Sequence, residues 1–241
     1  AFESLPEQVQ PRVKIAGESR WLPQVKPTPE RATLLLTRRS LPLVQLLKLM
    51  NVHSNNAMSE QLVDQLGGGP AIARQLAQSM DFPAGEIQLI NGSGLGVENK
   101  MSPRAATALA LRLSHQLRYP DDGAPAYTLA DILPISGFDR GSIRTRKMPI
   151  GSTVKTGTLN AVSALSGLLP TETHDALGFA IINGGLPRIL RINQDRLLAN
   201  LQTQWGQPAK IPAVVTSILK EPTLGDRRRT VIPPPVSPSP Q

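Results

Sequence analysis

The 241 residues contain no cysteine, which excludes disulfides, thiolate nucleophiles and cysteine-ligated metals. Histidine is nearly as scarce. His53, His115 and His174 stand alone, without the paired spacing of a zinc site, so no metal is expected. Aromatic residues make up 3%, and none interleaves with a basic run, which argues against a stacking platform for single-stranded nucleic acid. Long apolar runs are missing as well. Leu34–Leu36, Leu177–Ile182 and Ala213–Val215 are the longest, far short of the ~20 residues that cross a bilayer, so no transmembrane segment is expected. No charged-then-apolar leader follows Ala1, and compartment is not legible there.

What is present is a hydrophobic fraction of 40%, enough for a core, and a net charge of +8. That charge favours polyanions such as envelope polymers or nucleic acid without choosing between them. Proline is concentrated at both ends. Residues 1–31 hold Pro6, Pro11, Pro23, Pro27 and Pro29 with little periodicity, and read as an irregular connecting segment. Residues 207–241 hold eight of the 23 prolines and the run Arg227-Arg228-Arg229, and read as an extended, solvated basic tail.

Between them, residues 32–206 carry the periodic patterns of a folded unit. Ala32–Thr37 suits a short strand, and Leu43, Leu46, Leu47 and Met50 recur at helical spacing up to His53-Ser54-Asn55-Asn56. Leu62, Val63 and Leu66 predict a second helix that ends at Gly67-Gly68-Gly69. Ile87–Ile90 reads as a strand entering the turn Asn91-Gly92-Ser93-Gly94. Ser102-Pro103 supplies an N-cap and a first-turn proline for a helix with Ala105, Leu109, Leu113 and Leu117 on one stripe. Gly151–Asn160, Val162–Leu169 and Leu177–Ile182 read as three consecutive antiparallel strands, and Asn193–Trp205 as a closing helix. Segregated helices and a strand meander predict an α+β fold, an antiparallel sheet packed against helices.

Three polar clusters could carry chemistry. Ser54-Asn55-Asn56 is a Ser-x-Asn at a helix end, a pattern that on its own is also a helix cap. Lys155-Thr156-Gly157 is much rarer by composition and falls on a predicted strand. There an ammonium and a hydroxyl can hold a carboxylate while glycine lets a substrate backbone approach. Asn91-Gly92-Ser93-Gly94-Leu95 is a glycine turn. His53 reads as a loop residue.

In this order the clusters resemble the signature of penicillin-recognising serine acyl-transferases. The closer resemblance is to the D-alanyl-D-alanine carboxypeptidases of the peptidase S13 family, the class C penicillin-binding proteins of the penicillin-binding protein 4 type. It runs from Ser40-Leu41-Pro42-Leu43 through Met50–Asn56, Asn91–Leu95, Ser102-Pro103-Arg104-Ala105 and Lys155–Leu159 to Gly178-Phe179, about 140 residues. Asn91 stands where that family usually has Asp, and Gly96-Val97 where it usually has Ser-Arg. The resemblance implies a β-lactamase/transpeptidase-like fold, seen as a partial domain, and acyl transfer on peptidoglycan peptides ending in D-Ala-D-Ala, with β-lactams as ligands. It implies a periplasmic or envelope location and no cofactor. Carried over, Ser54 relays a proton to the leaving amine, Asn56 holds the substrate amide and Lys155 supplies positive potential. Thr156 binds the terminal carboxylate, Gly157 admits the peptide backbone, and the Thr158 N–H is an oxyanion donor.

The nucleophile is missing from this pattern. The family's Ser-x-x-Lys precedes Ser-x-Asn, and none lies between Ala1 and Ser54. Ser152–Lys155 and Ser217–Lys220 match the spacing. On a strand, however, residues three apart point to opposite faces, so Lys155 cannot serve Ser152 as a base. The sequence therefore reads as the carboxy-terminal part of such an enzyme, its partner being the missing amino-terminal segment. The alternatives are a nucleophile-free peptidoglycan-binding relative and, more remotely, a basic envelope scaffold.

Overall fold

The computed structural model describes residues 37–120, 126–219 and 229–231. The chain divides into two compact units, Ser40–Gly225 and Ala1–Arg39 with Asp226–Gln241. In the smaller unit, β1 (Thr37–Arg38) pairs antiparallel with β7 (Thr230–Val231), and Arg39 N–H extends the ladder to Arg229 O at 2.8 Å. Most of the expected strand Ala32–Thr37, and the connecting segment 1–31, lie outside the described residues.

The larger unit holds the sheet. β4 (Thr153–Leu159), β5 (Val162–Pro170) and β6 (Ala176–Gly184) form an antiparallel meander in that spatial order, as expected. Register runs Thr153↔Leu168 to Leu159↔Val162 and Val162↔Gly184 to Pro170↔Ala176. Period-two alternation then sends β5 side chains to two faces. Leu165 and Leu169 pack with Val154, Ile143, Met148 and Leu198 on one side, which brings α5 (Pro187–Trp205) onto that face. Leu168 packs on the other with Leu129, Ile132 and Val215, where Leu47 and Leu113 join from α1 (Leu43–His53) and α4 (Pro103–Arg118). The sheet is thus buried between helical layers, the α+β arrangement anticipated from the pattern.

α4 begins as its sequence dictates, with Ser102 Oγ accepting from Ala105 N–H at 3.0 Å and Pro103 in the first turn. Three other expectations need correction. Gly67 and Gly68 do end α2 (Asn56–Gln65) in left-handed geometry, but Gly69 opens a further helix, α3 (Gly69–Ser79). A Cβ at Gly69 would stand 2.7 Å from the Asn91 nitrogen, so that glycine permits close approach rather than termination. α5 starts at Pro187, six residues before the expected Asn193, because Pro187 takes the first turn where its missing N–H costs nothing. Finally, residues 207–219 are not a solvated tail. Ala213–Val215 forms a 3-10 turn, Val215 is fully buried, and Asp131 accepts from Ser217 Oγ at 2.7 Å and Ile218 N–H at 2.8 Å. The rest of the proposed tail is outside the described residues, apart from 229–231. Elsewhere, β2 (Ile87–Gln88) is shorter than expected and pairs with β3 (Lys100–Met101).

Candidate active site

α1 ends where Ser54 adopts left-handed backbone angles, φ 49° and ψ 53°. This break separates α1 from α2, which begins two residues later and is capped by Asn55 Oδ1 accepting from Met58 N–H at 3.0 Å. The capping role in Ser54-Asn55-Asn56 therefore falls to the middle residue. Ser54 and Asn56 are left exposed on either side of it.

Across 101 positions of sequence, Lys155 Nζ donates to Ser54 Oγ at 2.7 Å. The same ammonium donates to Thr156 O at 3.0 Å. Because Lys155 acts as donor, the Ser54 hydroxyl proton remains free to point toward a third group. Burial holds the Lys155 ammonium below the ordinary lysine pKa. Ser152, three residues earlier, is fully buried and donates to Pro149 O at 2.8 Å, so it is not paired with Lys155. Ser217 is taken by Asp131, and Lys220 lies outside the described residues.

β4 is an edge strand. Val154 N–H leaves it on the side away from β5, donating to Pro134 O at 2.9 Å. Alternation then directs the Thr156 and Thr158 N–H groups to that same outer edge. Arg191, on α5, donates to Thr158 Oγ1 at 2.8 Å. Asn56 has an exposed side chain that no described residue engages, and it is not bonded to β4. At Gly157 a Cβ would meet only Ala164 Cβ, at an ordinary 3.5 Å. The fold itself therefore does not demand glycine there.

The glycine turn proves to be bolted to α2. Glu60, one helical turn after Asn56, accepts from Gly92 N–H at 2.8 Å and Ser93 N–H at 3.1 Å, while Ser59 Oγ donates to Gly92 O at 2.7 Å. A Cβ at Gly92 would lie 2.3 Å from Ser59 O, so glycine is obligatory in this contact. Asn91 closes the turn with both ends of its amide, Nδ2 donating to Leu95 O at 2.7 Å and Oδ1 accepting from Gly94 N–H at 3.0 Å. A carboxylate at 91 could accept but could not donate to Leu95 O. The bonds from Ser93 and Gly92 hold the Glu60 carboxyl below its usual range, so the clamp persists at moderately acidic pH and is lost as pH falls through that lowered value. We expect Glu60→Ala to raise amide hydrogen exchange at Gly92 and Ser93 on the order of tenfold, with the sheet amides unchanged. Unchanged exchange at both amides would refute the clamp.

A cavity of about 600 Å³ lies beside His53, lined by Lys48, Val52, Ile135, Phe138 and Asp139 among others. None of Ser54, Asn56 or Lys155 lines it.

The sequence pattern of the D-Ala-D-Ala carboxypeptidase 3 (S13) family matches residues 22–204, more than half of the chain. The chain belongs to that family. Carboxypeptidase DacB of Mycolicibacterium smegmatis is 26% identical over 190 residues, covering 71% of this chain and 40% of that protein. A carboxypeptidase of Mycobacterium tuberculosis is 28% identical over 174 residues, covering 64% of this chain and 36% of its own length. The S13 chain described here thus spans about two fifths of these curated relatives. A predatory endopeptidase of Bdellovibrio bacteriovorus superposes with a TM-score of 0.62 at 24% identity, over 71% of this chain and 46% of the endopeptidase. Penicillin-binding protein 4 of Haemophilus influenzae, in complex with a β-lactam, gives 0.54 at 23%, over 67% and 41%. At these identities the likeness establishes a common fold, that of the penicillin-binding protein 4 type.

Sequence reasoning missed Glu60, Arg191 and the Lys48–Asp139 pair described below. Only Lys48 left a signal. Val44, Lys48 and Val52 fall at i, i+4 and i+8, so a lysine interrupts an apolar stripe and calls for a buried partner.

Proposed function

We propose that this chain is the carboxy-terminal part of a serine-type D-Ala-D-Ala carboxypeptidase of the cell envelope. It acts on peptidoglycan stem peptides through an acyl-enzyme and takes β-lactams in the same cleft. The observation that carries this reading is the 2.7 Å bond from Lys155 Nζ to Ser54 Oγ. It joins two of the three motif clusters into one constellation.

The nucleophilic serine and its lysine base come from a segment outside this chain. That serine attacks the carbonyl of the penultimate D-Ala, the C–N bond breaks, D-Ala leaves, and water releases the acyl group. Ser54, with its hydroxyl oxygen held by Lys155, passes a proton to the departing amine. Asn56 holds the substrate amide, and its exposed, unengaged side chain suits that task. Lys155 and the Thr156 hydroxyl receive the terminal carboxylate. The Thr158 N–H, on the outer edge of β4, stabilises the oxyanion, and Gly157 leaves room for the peptide backbone. No metal or cofactor enters this scheme. Among the described residues no helix is long and apolar enough to cross a membrane.

The test is labelled penicillin added to the complete protein that carries this chain. A covalent adduct, together with D-Ala release from a D-Ala-D-Ala peptide, is the expected result. Reversible peptide binding without an adduct would instead mark a nucleophile-free binding protein.

A further inference from the structure

We infer that the half-buried pair Lys48–Asp139 is a brace that sets the Ser54 hydroxyl against Lys155, making both of its members positioning residues of the site. This rests on the catalytic reading of Ser54 and Lys155 given above.

Lys48 lies on α1, six residues before Ser54. Its three donors are all committed, to Asp139 Oδ2 at 2.7 Å, Leu133 O at 2.6 Å and Ala130 O at 2.9 Å. With its side chain only 14% exposed, it has no call on solvent. Burial lowers the Lys48 pKa, and the bond to Asp139 opposes that shift. The Asp139 oxygen is shared with Ile135 N–H at 2.7 Å, so one carboxylate ties the lysine to the backbone of the segment beyond it.

That segment leads straight to the other half of the site. Ile135 bridges Thr153, Ser136 N–H donates to Ser152 O at 2.8 Å, and Val154 N–H donates to Pro134 O. Thr153 precedes Lys155 by two on the same face of β4. At the α1 end, Asn51 Nδ2 donates to Ile132 O at 2.9 Å and Ser142 N–H donates to Val52 O at 2.8 Å. Residues 130–142 therefore grip the last two turns of α1 with one set of bonds and the first residues of β4 with another. Among the described residues, the only hydrogen bond made directly between α1 with its cap and β4 is Ser54–Lys155 itself. A single exposed bond at the end of a long lysine side chain does not fix its own length. The brace does so by locating both backbones.

The cavity beside the pair has an apolar wall of Leu49, Val52, Ile135 and Phe138. Replacing Lys48 alone would leave a half-buried carboxylate without its cation and risk destabilising the fold. The discriminating variant is therefore Lys48→Met with Asp139→Leu, which removes both charges together. Asn51→Ala, which cuts one uncharged tie, is the second.

The measurement is the NMR titration of Lys155 in the complete protein with ¹³Cε-labelled lysine, beside the rate of labelling by penicillin. With the brace removed, Ser54 drifts from Lys155, water reaches the ammonium, and the Lys155 midpoint moves up toward that of free lysine. Labelling then slows about 10- to 100-fold, as misplacement by up to about 1 Å does. A merely structural pair would change the melting temperature without moving that midpoint. An unchanged midpoint in a folded variant overturns the brace, whatever the labelling rate. If the paired variant does not fold, the same criterion is applied to Asn51→Ala. A midpoint that moves in a protein that penicillin never labels leaves the brace standing and removes the catalytic reading instead.

Discussion

Lys155→Ala will slow penicillin labelling of the complete protein by about 100- to 1,000-fold, the usual cost of removing one preorganised electrostatic group. The ammonium does two things at once. It donates to Ser54 Oγ at 2.7 Å, and it presents the positive charge toward which a terminal carboxylate would move. Alanine removes both without disturbing the backbone, since β4 is held by its ladder to β5. The pH profile carries a second signature. Burial lowers the Lys155 pKa, so the cation is fully present at pH below that lowered value and is lost as pH rises through it. The alkaline limb of labelling should consequently fall earlier than free lysine would permit. Lys155→Arg, charged throughout the accessible range, should abolish that limb while restoring only part of the rate, because its planar fork cannot reproduce the compact contact with Ser54. A variant that labels at the wild-type rate would remove Lys155 from the chemistry.

Gly141→Ala should be among the most destabilising single changes in the chain, at about 3 kcal/mol. A Cβ there would stand 1.9 Å from Val52 O and 2.6 Å from Val52 C. These are backbone atoms at the end of a helix, and Val52 O is already engaged by Ser142 N–H. Relief requires either α1 or the 130–142 segment to move, which opens the grip on Ser54. Gly157→Ala is the matched control. Its new Cβ meets only Ala164 Cβ at 3.5 Å, so stability should hold or rise slightly, since alanine restricts the unfolded chain more than glycine does. Peptide affinity should nonetheless fall if a substrate strand approaches there. Thermal denaturation of the two variants side by side decides the matter, and equal melting temperatures would contradict it.

The strand meander was legible because its three runs, one rich in Thr and Val and two apolar, are short and separated by turn residues, and local signals of that kind need no distant partner. α4 announced itself through Ser102-Pro103. α3 did not, because Gly67-Gly68-Gly69 contains two glycines that stop one helix and a third that starts another, and sequence alone gives all three the same symbol. The burial of Val215 was hidden by flanking prolines, which read as an extended tail until the pocket beneath them is known. The site shows the same division. Ser54, Asn56 and Lys155 could be read from motif spacing, and the structure brings Ser54 and Lys155 together. Lys48 and Asp139 are 91 positions apart, and Glu60 works through the backbone N–H groups of a loop 32 positions on. Such pairings depend on the tertiary arrangement, which no window of sequence contains.

The left-handed turn at Ser54 limits which side chains this position can tolerate. At φ 49° a β-branched residue is strained by roughly 1–2 kcal/mol, so threonine, the nearest chemical substitute, would keep the hydroxyl and lose the turn. Glycine or asparagine would accept the turn and lose the hydroxyl. Two independent filters, one conformational and one chemical, overlap on a single residue type. Anyone grafting this corner onto another scaffold inherits both.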